Sequence, residues 1–300
     1  MYSLNSGSAS APFASHTVSE ALPCWPEEEV NQVLARLHRT TGLDFSGYRR
    51  PTVLRRIRNR MISIGLASLP RYITLLEEQP EEAFALLQRL TIKVSRFYRD
   101  ANTFDVIRDS VLPSLAAMRG GEPLAVWSAG CGRGEEAWTL AMLLERAGIA
   151  GQVFATDIDP AALDEAARGE YRPEAVRELP ADLRAAYLDT ELAGGRLQYR
   201  VRDRLRPRVC FMPQDVAASP LSVERPFDLV CCRNVLIYFD ALVQRRALGL
   251  LLAAVREGGY LCLGEAEWPL HAVSASLRAV GRKTQVFLTL ENKGNREMQS

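Results

Sequence analysis

The spacing of apolar residues changes near residue 100 and divides the chain into two unlike parts. From 26 to 100 the apolar positions recur at helical intervals, and proline or acidic residues stand where helices would begin. The pattern predicts four short helices that start near Pro26, Pro51, Ser68 and Pro80. Their shared core is expected to contain Leu54, Ile57, Met61, Ile64, Tyr72, Leu75, Leu76, Phe84, Leu87 and Leu90. This part is therefore predicted to be a compact all-α domain.

After a predicted helix over 104–118, short apolar runs typical of buried strands alternate with helical stretches. The predicted strands cover 124–127, 153–156, 209–212, 227–232, 260–263 and 285–290, and a long helix covers 241–255. This alternation is typical of an α/β fold with a doubly wound sheet. Residues 187–209 interrupt it with alternation at the strand period around Gly194 and Gly195, which predicts a small antiparallel β insertion.

The two ends of the chain lack these patterns. Residues 1–25 are rich in Ser, Ala and Pro and are predicted to be disordered, and residues 291–300 form a polar tail. The predicted organisation is therefore a helical domain over 26–100, followed by an α/β domain over 101–290 that contains the insertion.

Charge is unevenly distributed although the net charge is only +1. Between Arg36 and Asp100 there are 13 Lys and Arg against 6 Asp and Glu, so the remainder of the chain is net acidic. Six arginines and no acid occupy the arginine-rich segment, 49–60. A solvated helix face usually carries both signs of charge, so we favour a binding surface for an anionic partner, either nucleic acid or an acidic protein.

Cysteine and histidine usage limits the possible chemistry. The six cysteines show neither zinc-site spacing nor a disulfide framework, and four lie in apolar strand-like runs, which favours buried thiols in a reducing cytoplasm. The three histidines, at 16, 38 and 271, lie in no motif, so we expect no metal site. No apolar run approaches the ~18 residues of a membrane span, and no signal-peptide pattern begins the chain. We expect a cytoplasmic protein without membrane insertion.

The candidate chemistry begins at the turn after the first predicted strand. Gly130, Gly132 and Gly134 allow a tight turn that a ligand can approach, and Glu135 and Glu136 begin the next helix. Acids at a helix start match its dipole, would repel a pyrophosphate and would attract a cationic ligand. Taken alone, the glycine pattern is equally typical of an ordinary tight turn.

Asp157 ends the second predicted strand of the α/β domain, about twenty residues past the glycine turn. An acid at this place can bind both hydroxyls of a ribose, although a loop-forming aspartate is as good an interpretation of this residue alone. The two motifs together favour a ribose-bearing cofactor. A dinucleotide and S-adenosylmethionine both remain candidates. The two glutamates favour the second, whose methionine end carries an ammonium and a sulfonium.

The order of several motifs resembles the CheR family, the methyltransferases that esterify glutamates of bacterial chemoreceptors. The resemblance covers about 27–290 and implies a class I methyltransferase-like fold with an N-terminal all-α domain and a β insertion. Its motifs are FSGY at 45–48, RNRM at 58–61, SRFYRD at 95–100, WSAGC at 127–131, GEE at 134–136, ATDID at 155–159 and FDLVCCRNVLIYF at 227–239.

The resemblance also implies site residues by position. Arg99, Arg233 and Tyr238 would be catalytic, with Arg99 lying across the methyl-transfer site. Glu136, or alternatively Glu135, would hold the methionine ammonium. The implied cofactor contacts are Lys93, Ser95, Arg99, Gly130, Glu136, Asp157, Asp215, Val216, Arg233 and Asn234, with Asp157 at the ribose and Asp215 and Val216 at the adenine. Lys93, Ser95 and Asp215 depart from the residues that are usual in the family.

The implied reaction transfers a methyl group from S-adenosylmethionine to a receptor glutamate and leaves S-adenosylhomocysteine. Receptor helices would bind the basic face formed by Arg55, Arg56, Arg58 and Arg60. The β insertion corresponds to a subdomain that, in some members, binds a peptide at the receptor C-terminus.

Several alternatives stay open, and one is a methyltransferase that acts on another acidic protein substrate. A nucleic-acid methyltransferase would usually need a proline-containing Asn-Pro-Pro-Tyr-like site or a cysteine site, neither of which is seen, so no nucleic acid is expected. The unusual residues at Lys93, Ser95 and Asp215 allow a cofactor-binding regulator that lacks catalysis. Arg233 and Tyr238 could also serve only to brace the helix that follows them.

Overall fold

The computed structural model describes residues 23–91, 95–217, 226–269 and 276–290. The predictions for residues 1–22, for the tail at 291–300 and for Lys93 therefore lie outside the described residues. The predicted architecture is confirmed: a bundle of short helices precedes a mixed α/β sheet that carries a small antiparallel sheet.

Four helices form the N-terminal bundle: α1 Glu27–Thr41, α2 Arg50–Ser63, α3 Leu69–Glu78 and α4 Pro80–Leu90. They begin close to the predicted positions because proline occupies one of the first two helical positions of α2, α3 and α4. The first helix ends at Gly42, whose φ of 76° lies in the left-handed region that glycine adopts easily.

The core of the bundle is close to the one predicted, with one error. Ile57, Met61, Tyr72, Leu76, Leu87 and Leu90 are buried, and Leu54, Ile64 and Leu75 pack partly buried against them. The prediction for Phe84 is wrong, because its side chain is 50% exposed. Ala83, Leu86, Leu87 and Leu90 form the inner stripe of α4, and this spacing leaves Phe84 on the solvent side.

A connecting segment leads from the bundle to the sheet. The sequence predicts one helix, whereas the structure has α5 Ala101–Val106, a π-helical turn Ile107–Val111 and α6 Leu112–Arg119. Pro113 stands at the start of α6 and has no backbone N–H to donate to the preceding turn, which accounts for the irregular turn before it.

The main sheet has seven strands in the order β6-β2-β1-β7-β8-β10-β9. The strands are β1 Leu124–Ala129, β2 Gly151–Asp157, β6 Val209–Pro213, β7 Phe227–Cys232, β8 Val255–Leu263, β9 Leu277–Val280 and β10 Val286–Thr289. The first five strands in this order are parallel, and β10 and β9 continue the sheet antiparallel. Strand β9 was not predicted, because it is only four residues long and mostly exposed.

Helices cover both faces of this sheet: α7 Glu135–Arg146, α8 Pro160–Arg168 and α10 Ala241–Ala254. Strand β1 is buried on both sides, with Val126 in the cluster that includes Leu140 of α7 and Trp127 in the cluster that includes Leu248 of α10. The carboxyl ends of β1, β2, β6 and β7 therefore meet at one edge, where ligands bind in folds of this kind.

The predicted antiparallel insertion is confirmed, but its predicted bounds, 187–209, miss the first of its three strands, and residues 203–208 form a 3-10 helix. This small sheet has the strand order β3-β5-β4. It contains β3 Glu170–Tyr171, β4 Leu188–Ala193 and β5 Arg196–Val201, and α9 Ala181–Tyr187 lies between β3 and β4 in the chain. Strand β4 is at the edge of this sheet. Within the described ranges, no helix is long and apolar enough to cross a membrane.

Candidate active site

A cavity of about 1020 Å³, counting the space at its mouth, opens at the carboxyl edge of the main sheet. It brings together every described residue that the sequence assigns to catalysis or cofactor binding: Ser95, Arg99, Gly130, Glu136, Asp157, Asp215, Val216, Arg233, Asn234 and Tyr238. Residues that the sequence reasoning missed complete the lining, namely Tyr48, Leu90, Thr91, Arg96, Cys131, Gly132, Ile158, Gln214, Val235 and Phe239.

The glycine turn after β1 is shaped by close neighbours. Gly130 has a φ of 75°, and a Cβ at this position would collide with the side chain of Val235. Gly134, with a φ of 90°, precedes α7 and has similarly little room beside Ala166. The Tyr171 hydroxyl donates to the carbonyl of Arg133 at 2.6 Å and fixes the turn from outside. The cavity therefore has a backbone wall that a larger residue could not form.

Glu136 is the acid that lines the cavity. Its Oε1 accepts a hydrogen bond from the Ser128 hydroxyl at 2.7 Å, and its Oε2 lies 3.2 Å from Nη1 of Arg233. These contacts hold a carboxylate at the positive end of α7, at the place where a ligand ammonium could approach it.

Glu135, the alternative considered from sequence, is directed elsewhere. Its side chain is buried beside a second cavity that Ser95, Arg133, Glu165 and Tyr171 also line. Burial raises the pKa of Glu135 to about 7, and Oε2 has no hydrogen-bond partner among the described residues. Glu135 can therefore exchange a proton near neutral pH, whereas the cofactor cavity contains Glu136.

Asp157 is the last residue of β2, and two backbone amides orient its carboxylate. Its Oδ2 accepts from the Gly132 amide at 2.8 Å, and its Oδ1 accepts from the Asp159 amide at 2.9 Å. These bonds orient the carboxylate, which lies at the sheet edge in the lining of the cavity.

The end of β6 forms the far wall of the cavity. The Gln214 amide donates to the carbonyl of Asp157 at 3.0 Å, which joins the loops after β2 and β6. The Ala217 amide donates to Oδ1 of Asp215 at 2.8 Å, and Val216 is buried next to it. A carboxylate and an apolar side chain therefore lie together, as suits an adenine with one polar edge and two apolar faces.

Arg233 is more deeply engaged than the sequence suggested. Its Nη2 donates to Asp100 at 2.6 Å and to the carbonyl of Arg99 at 2.7 Å, and Nη1 reaches Glu136. The guanidinium also lies 5.0 Å from the Phe104 ring centre. These contacts are structural, but they differ from the alternative in which Arg233 and Tyr238 brace the following helix, because the side chain joins the start of α7 to the segment that carries Arg99.

The segment 95–100 has unusual backbone conformations. Tyr98 and Asp100 have φ values of 58° and 61°, in the left-handed region that residues other than glycine rarely adopt. Tyr98 is buried, stacks on Phe104 and donates to Asp105 at 2.9 Å, while Asp100 accepts from Arg233. Such strain persists where surrounding contacts enforce it, and here those contacts present Arg99 to the cavity.

Glu267 holds the loop after β7 and was not predicted. Its carboxylate accepts from the amides of Asn234 at 2.9 Å, Gly264 at 2.7 Å and Ile237 at 3.3 Å. Asn234 itself has a φ of 61°. A buried carboxylate with three backbone donors fixes a loop firmly, so the position of Tyr238 depends on a residue 29 positions later in the chain.

Tyr238 stands at a basic mouth of the cavity. Burial raises its pKa, while the charges of Arg56, Arg99 and Arg55 act in the opposite direction. Two of these arginines belong to α2, so the helical bundle contributes positive charge beside the hydroxyl. These charges would attract an anion towards the part of the cavity that Tyr238 lines.

The predicted substrate-binding arginines of α2 differ in their surroundings. Arg55 is exposed, and Arg56 is half-buried with no partner for its Nε among the described residues. Arg58 is half-buried and has a partner. Arg60 is paired with the buried Glu82 at 2.5 Å, and Tyr72 donates to the same carboxylate, so Arg60 stabilises the bundle.

The arginines of the β insertion are largely neutralised by acidic partners. Ion pairs join Arg200 to Glu191, Arg202 to Asp189, Arg206 to Asp203 and Arg208 to Glu145. Arg204 instead stacks over the Tyr187 ring and donates to the carbonyl of Ala186.

Thiol and acid groups give no sign of a metal centre in the part of the chain that the structure describes. No group of three or more His, Cys, Asp or Glu side chains there could hold a metal ion. Cys131 lines the cavity, and burial raises its pKa, which keeps the thiol protonated and unreactive.

The fold and this set of donors define a class: an S-adenosylmethionine-dependent methyltransferase. The residues fit that cofactor, since Glu136 and Asp157 both line the cavity and its glycine wall allows a ligand to approach the backbone closely. A model of the CheR methyltransferase SAM binding domain matches residues 93–282, and one of the CheR methyltransferase all-alpha domain matches residues 28–91. The chain belongs to the CheR methyltransferase family.

Curated relatives agree with this assignment. Chemotaxis protein methyltransferase 2 of Pseudomonas aeruginosa is 31% identical over 262 residues, which cover 86% of this chain and 92% of the relative. The chemotaxis protein methyltransferase of Escherichia coli K12 is 31% identical over 270 residues, covering 83% and 92%. An uncharacterized 104.1 kDa protein of Rhodobacter capsulatus is 36% identical over 252 residues, but this chain spans only 26% of its length.

Proposed function

We propose that the protein methylates glutamate side chains of chemoreceptors and so takes part in chemotactic adaptation. The carrying observation is an acid-lined cofactor cavity whose lining also includes Tyr238 and Arg99, with the charges of Arg55 and Arg56 acting on the Tyr238 hydroxyl. A cationic methyl donor suits the inside and an anionic acceptor suits the entrance. The names of the full-length relatives support a chemotaxis substrate.

The chemistry asks little of the protein beyond positioning. A glutamate side chain has a pKa of about 4.3, so it is already a nucleophilic carboxylate at neutral pH and needs no general base. S-adenosylmethionine, when bound, supplies an activated methyl group next to a sulfonium. Holding a carboxylate in line with that group removes an entropic barrier of several kcal/mol.

Each cavity residue has a proposed task. Arg99 and Tyr238 orient the incoming carboxylate, Glu136 holds the cofactor ammonium, Asp157 holds the ribose, and Asp215 with Val216 holds the adenine. Ser95, Gly130 and Asn234 line the cofactor. Arg233 acts as a positioning residue, because its donors are directed at Glu136, Asp100 and the Arg99 carbonyl.

We propose two surfaces for the receptor. Arg55 and Arg56 would meet its glutamate-rich helices, with Arg58 beside them, while Arg60 is committed to Glu82. A receptor C-terminal peptide would add to the edge strand β4, where Leu192 and Leu197 face each other across the hairpin with 77% and 41% exposure.

Ion pairs neutralise much of the positive charge that a nucleic acid would need on the β insertion. The free thiols favour a cytoplasmic location.

Arg99→Ala tests the catalytic proposal. The variant loses a forked donor for the carboxylate, so methyl transfer should fall about 10- to 100-fold. The measurement is formation of base-labile methyl esters on a receptor cytoplasmic fragment with labelled S-adenosylmethionine.

Arg146→Ala, which removes an exposed ion pair with Asp182, is the control and should keep full activity. Wild-type turnover by Arg99→Ala would refute the role of Arg99. Tight binding of S-adenosylhomocysteine without transfer to any receptor fragment would instead support a regulator that lacks catalysis.

A further inference from the structure

Three residues of the helical bundle line the cofactor cavity, although every sequence-based cofactor contact lay at residue 93 or beyond. They are Tyr48, between α1 and α2, and Leu90 and Thr91, at the end of α4. The bundle therefore contributes to the wall of the cavity and does more than present a basic surface.

Tyr48 is held firmly against the loop after β7. Its ring packs edge-on against Phe239, with the ring centres 5.1 Å apart and an angle of 86°, and an isolated backbone bridge joins the same two residues. The next amide, of Arg49, donates to the carbonyl of Tyr238 at 2.8 Å. Tyr48 and the loop that carries Tyr238 must therefore move together.

The phenol of Tyr48 lies in the negative field of the nucleoside end. Burial, followed by the charges of Asp215 and Asp157, raises the pKa of Tyr48. These are the two carboxylates assigned to the adenine and the ribose. The hydroxyl therefore stays protonated and is available as a donor beside them.

A second connection joins the bundle to the ribose side. The Thr91 hydroxyl donates to Oδ2 of Asp159 at 3.0 Å, and the Asp159 amide donates to Asp157. Ile158, between the two aspartates, packs against the core of the bundle. The helical bundle thus contacts the loops after β2 and after β7, both of which contribute residues to the cavity lining.

We propose that Tyr48 is a cofactor-binding residue contributed by the helical domain, and that its hydroxyl donates a hydrogen bond to the nucleoside of S-adenosylmethionine. Helix α2 begins two residues later, at Arg50. Cofactor binding would consequently fix the start of α2, and with it the basic surface, against the catalytic domain. Because coupling between sites is reciprocal, an acidic partner on α2 would raise the affinity for the cofactor by the same factor.

Tyr48→Phe tests the hydrogen bond while keeping the ring and its packing on Phe239. We expect the dissociation constant of S-adenosylhomocysteine, measured by isothermal titration calorimetry, to rise roughly five- to tenfold. Tyr72→Phe is a matched control, because Tyr72 lies in the same bundle and its hydroxyl bonds to Glu82.

The control should leave the dissociation constant unchanged even if it lowers the melting temperature, and circular dichroism should show both variants folded. A value for Tyr48→Phe within twofold of wild type would overturn the proposal. Loss of affinity in both variants would also overturn it, since it would indicate a general effect on the bundle. Both outcomes concern cofactor binding alone, so they are independent of the proposed receptor substrate.

Discussion

At the scale of single residues, the neighbouring acids Glu135 and Glu136 show how surroundings decide what a carboxylate does. Glu136 faces the cavity, where the Ser128 hydroxyl and the Arg233 guanidinium each donate to one of its oxygens. Glu135 is buried on the other side of the helix start, with one oxygen lacking a hydrogen-bond partner among the described residues. The sequence could place an acid here for the cofactor ammonium, but only the direction of each side chain separates the two candidates.

The raised pKa of Glu135 predicts a pH-dependent cost to stability. Burial moves this pKa from 4.5 to about 7, so between these values the folded protein keeps a proton that the unfolded chain releases. Stability therefore falls as the pH rises from 4.5 to 7 and stays lower above 7. Glu135→Gln should remove this cost and gain about 3 kcal/mol or less over wild type at pH 8, with little gain at pH 4.5. Urea unfolding at both pH values measures it.

Glu122→Gln is the control for that measurement, because Glu122 is exposed and is not among the charges that shift the pKa of Glu135. Its effect on the free energy of unfolding should be small and nearly equal at the two pH values. An equal effect of Glu135→Gln at pH 4.5 and pH 8 would show that the carboxyl does not titrate in this range.

At the scale of elements, α2 has a divided role that its composition conceals. Arg60 stabilises the bundle through Glu82, whereas the charges of Arg55 and Arg56 act on Tyr238 at the cavity mouth. They are separated along the helix axis, because residues 55 and 56 lie about one turn or more before residue 60, although Arg56 and Arg60 share a face. One end of a helix can thus act on the cavity while the next turn stabilises the bundle.

Replacing Arg55 and Arg56 together by alanine should weaken the receptor interaction and spare the cofactor site. We expect kcat/KM for a receptor fragment to fall about tenfold at low salt, with a smaller loss at 0.5 M salt, where charges are screened at ~4 Å. Initial rates of methyl-ester formation at two ionic strengths measure this change.

The matched control is Arg39→Ala, an exposed arginine on α1, which should behave as wild type. The dissociation constant of S-adenosylhomocysteine should stay unchanged in both variants. A tenfold loss that persists unaltered at high salt would argue against an electrostatic surface.

The helices and strands were the most predictable part of the fold, and contacts between residues far apart in the sequence were the least predictable. Proline positions and apolar runs located α1 to α4 and the parallel strands, because these signals are local. Other features depend on contacts between residues distant in sequence. They are the π turn, strand β9 and the hydrogen bond from the Asn234 amide to Glu267. The insertion illustrates the same limit: Arg208 is visible in the sequence, but its partner Glu145 lies far earlier in the chain.

At the scale of the whole molecule, the cofactor cavity lies where the two domains meet. The bundle reaches it through Tyr48 and Thr91, and the sheet through Glu136 and Asp157. The amide of Asp240 also donates to the carbonyl of Gly47 at 2.9 Å, next to the contact between Tyr48 and Phe239. Sequence patterns indicated two domains with different tasks, but they carried no signal that the first domain completes the site of the second.

This shared cavity predicts that the cofactor product stabilises both domains together. S-adenosylhomocysteine at 100 times its dissociation constant should add about 2.7 kcal/mol to the free energy of unfolding. Because residues from both domains line the cavity, amides of α2 and of β7 should gain similar protection in hydrogen exchange. Tyr48→Phe, studied at the same degree of saturation, should lose part of the gain in α2 and keep the gain in β7. If S-adenosylhomocysteine increased protection only in the α/β domain of the wild-type protein, the prediction would be wrong. The helical bundle would then line the cavity without being stabilised by the bound ligand.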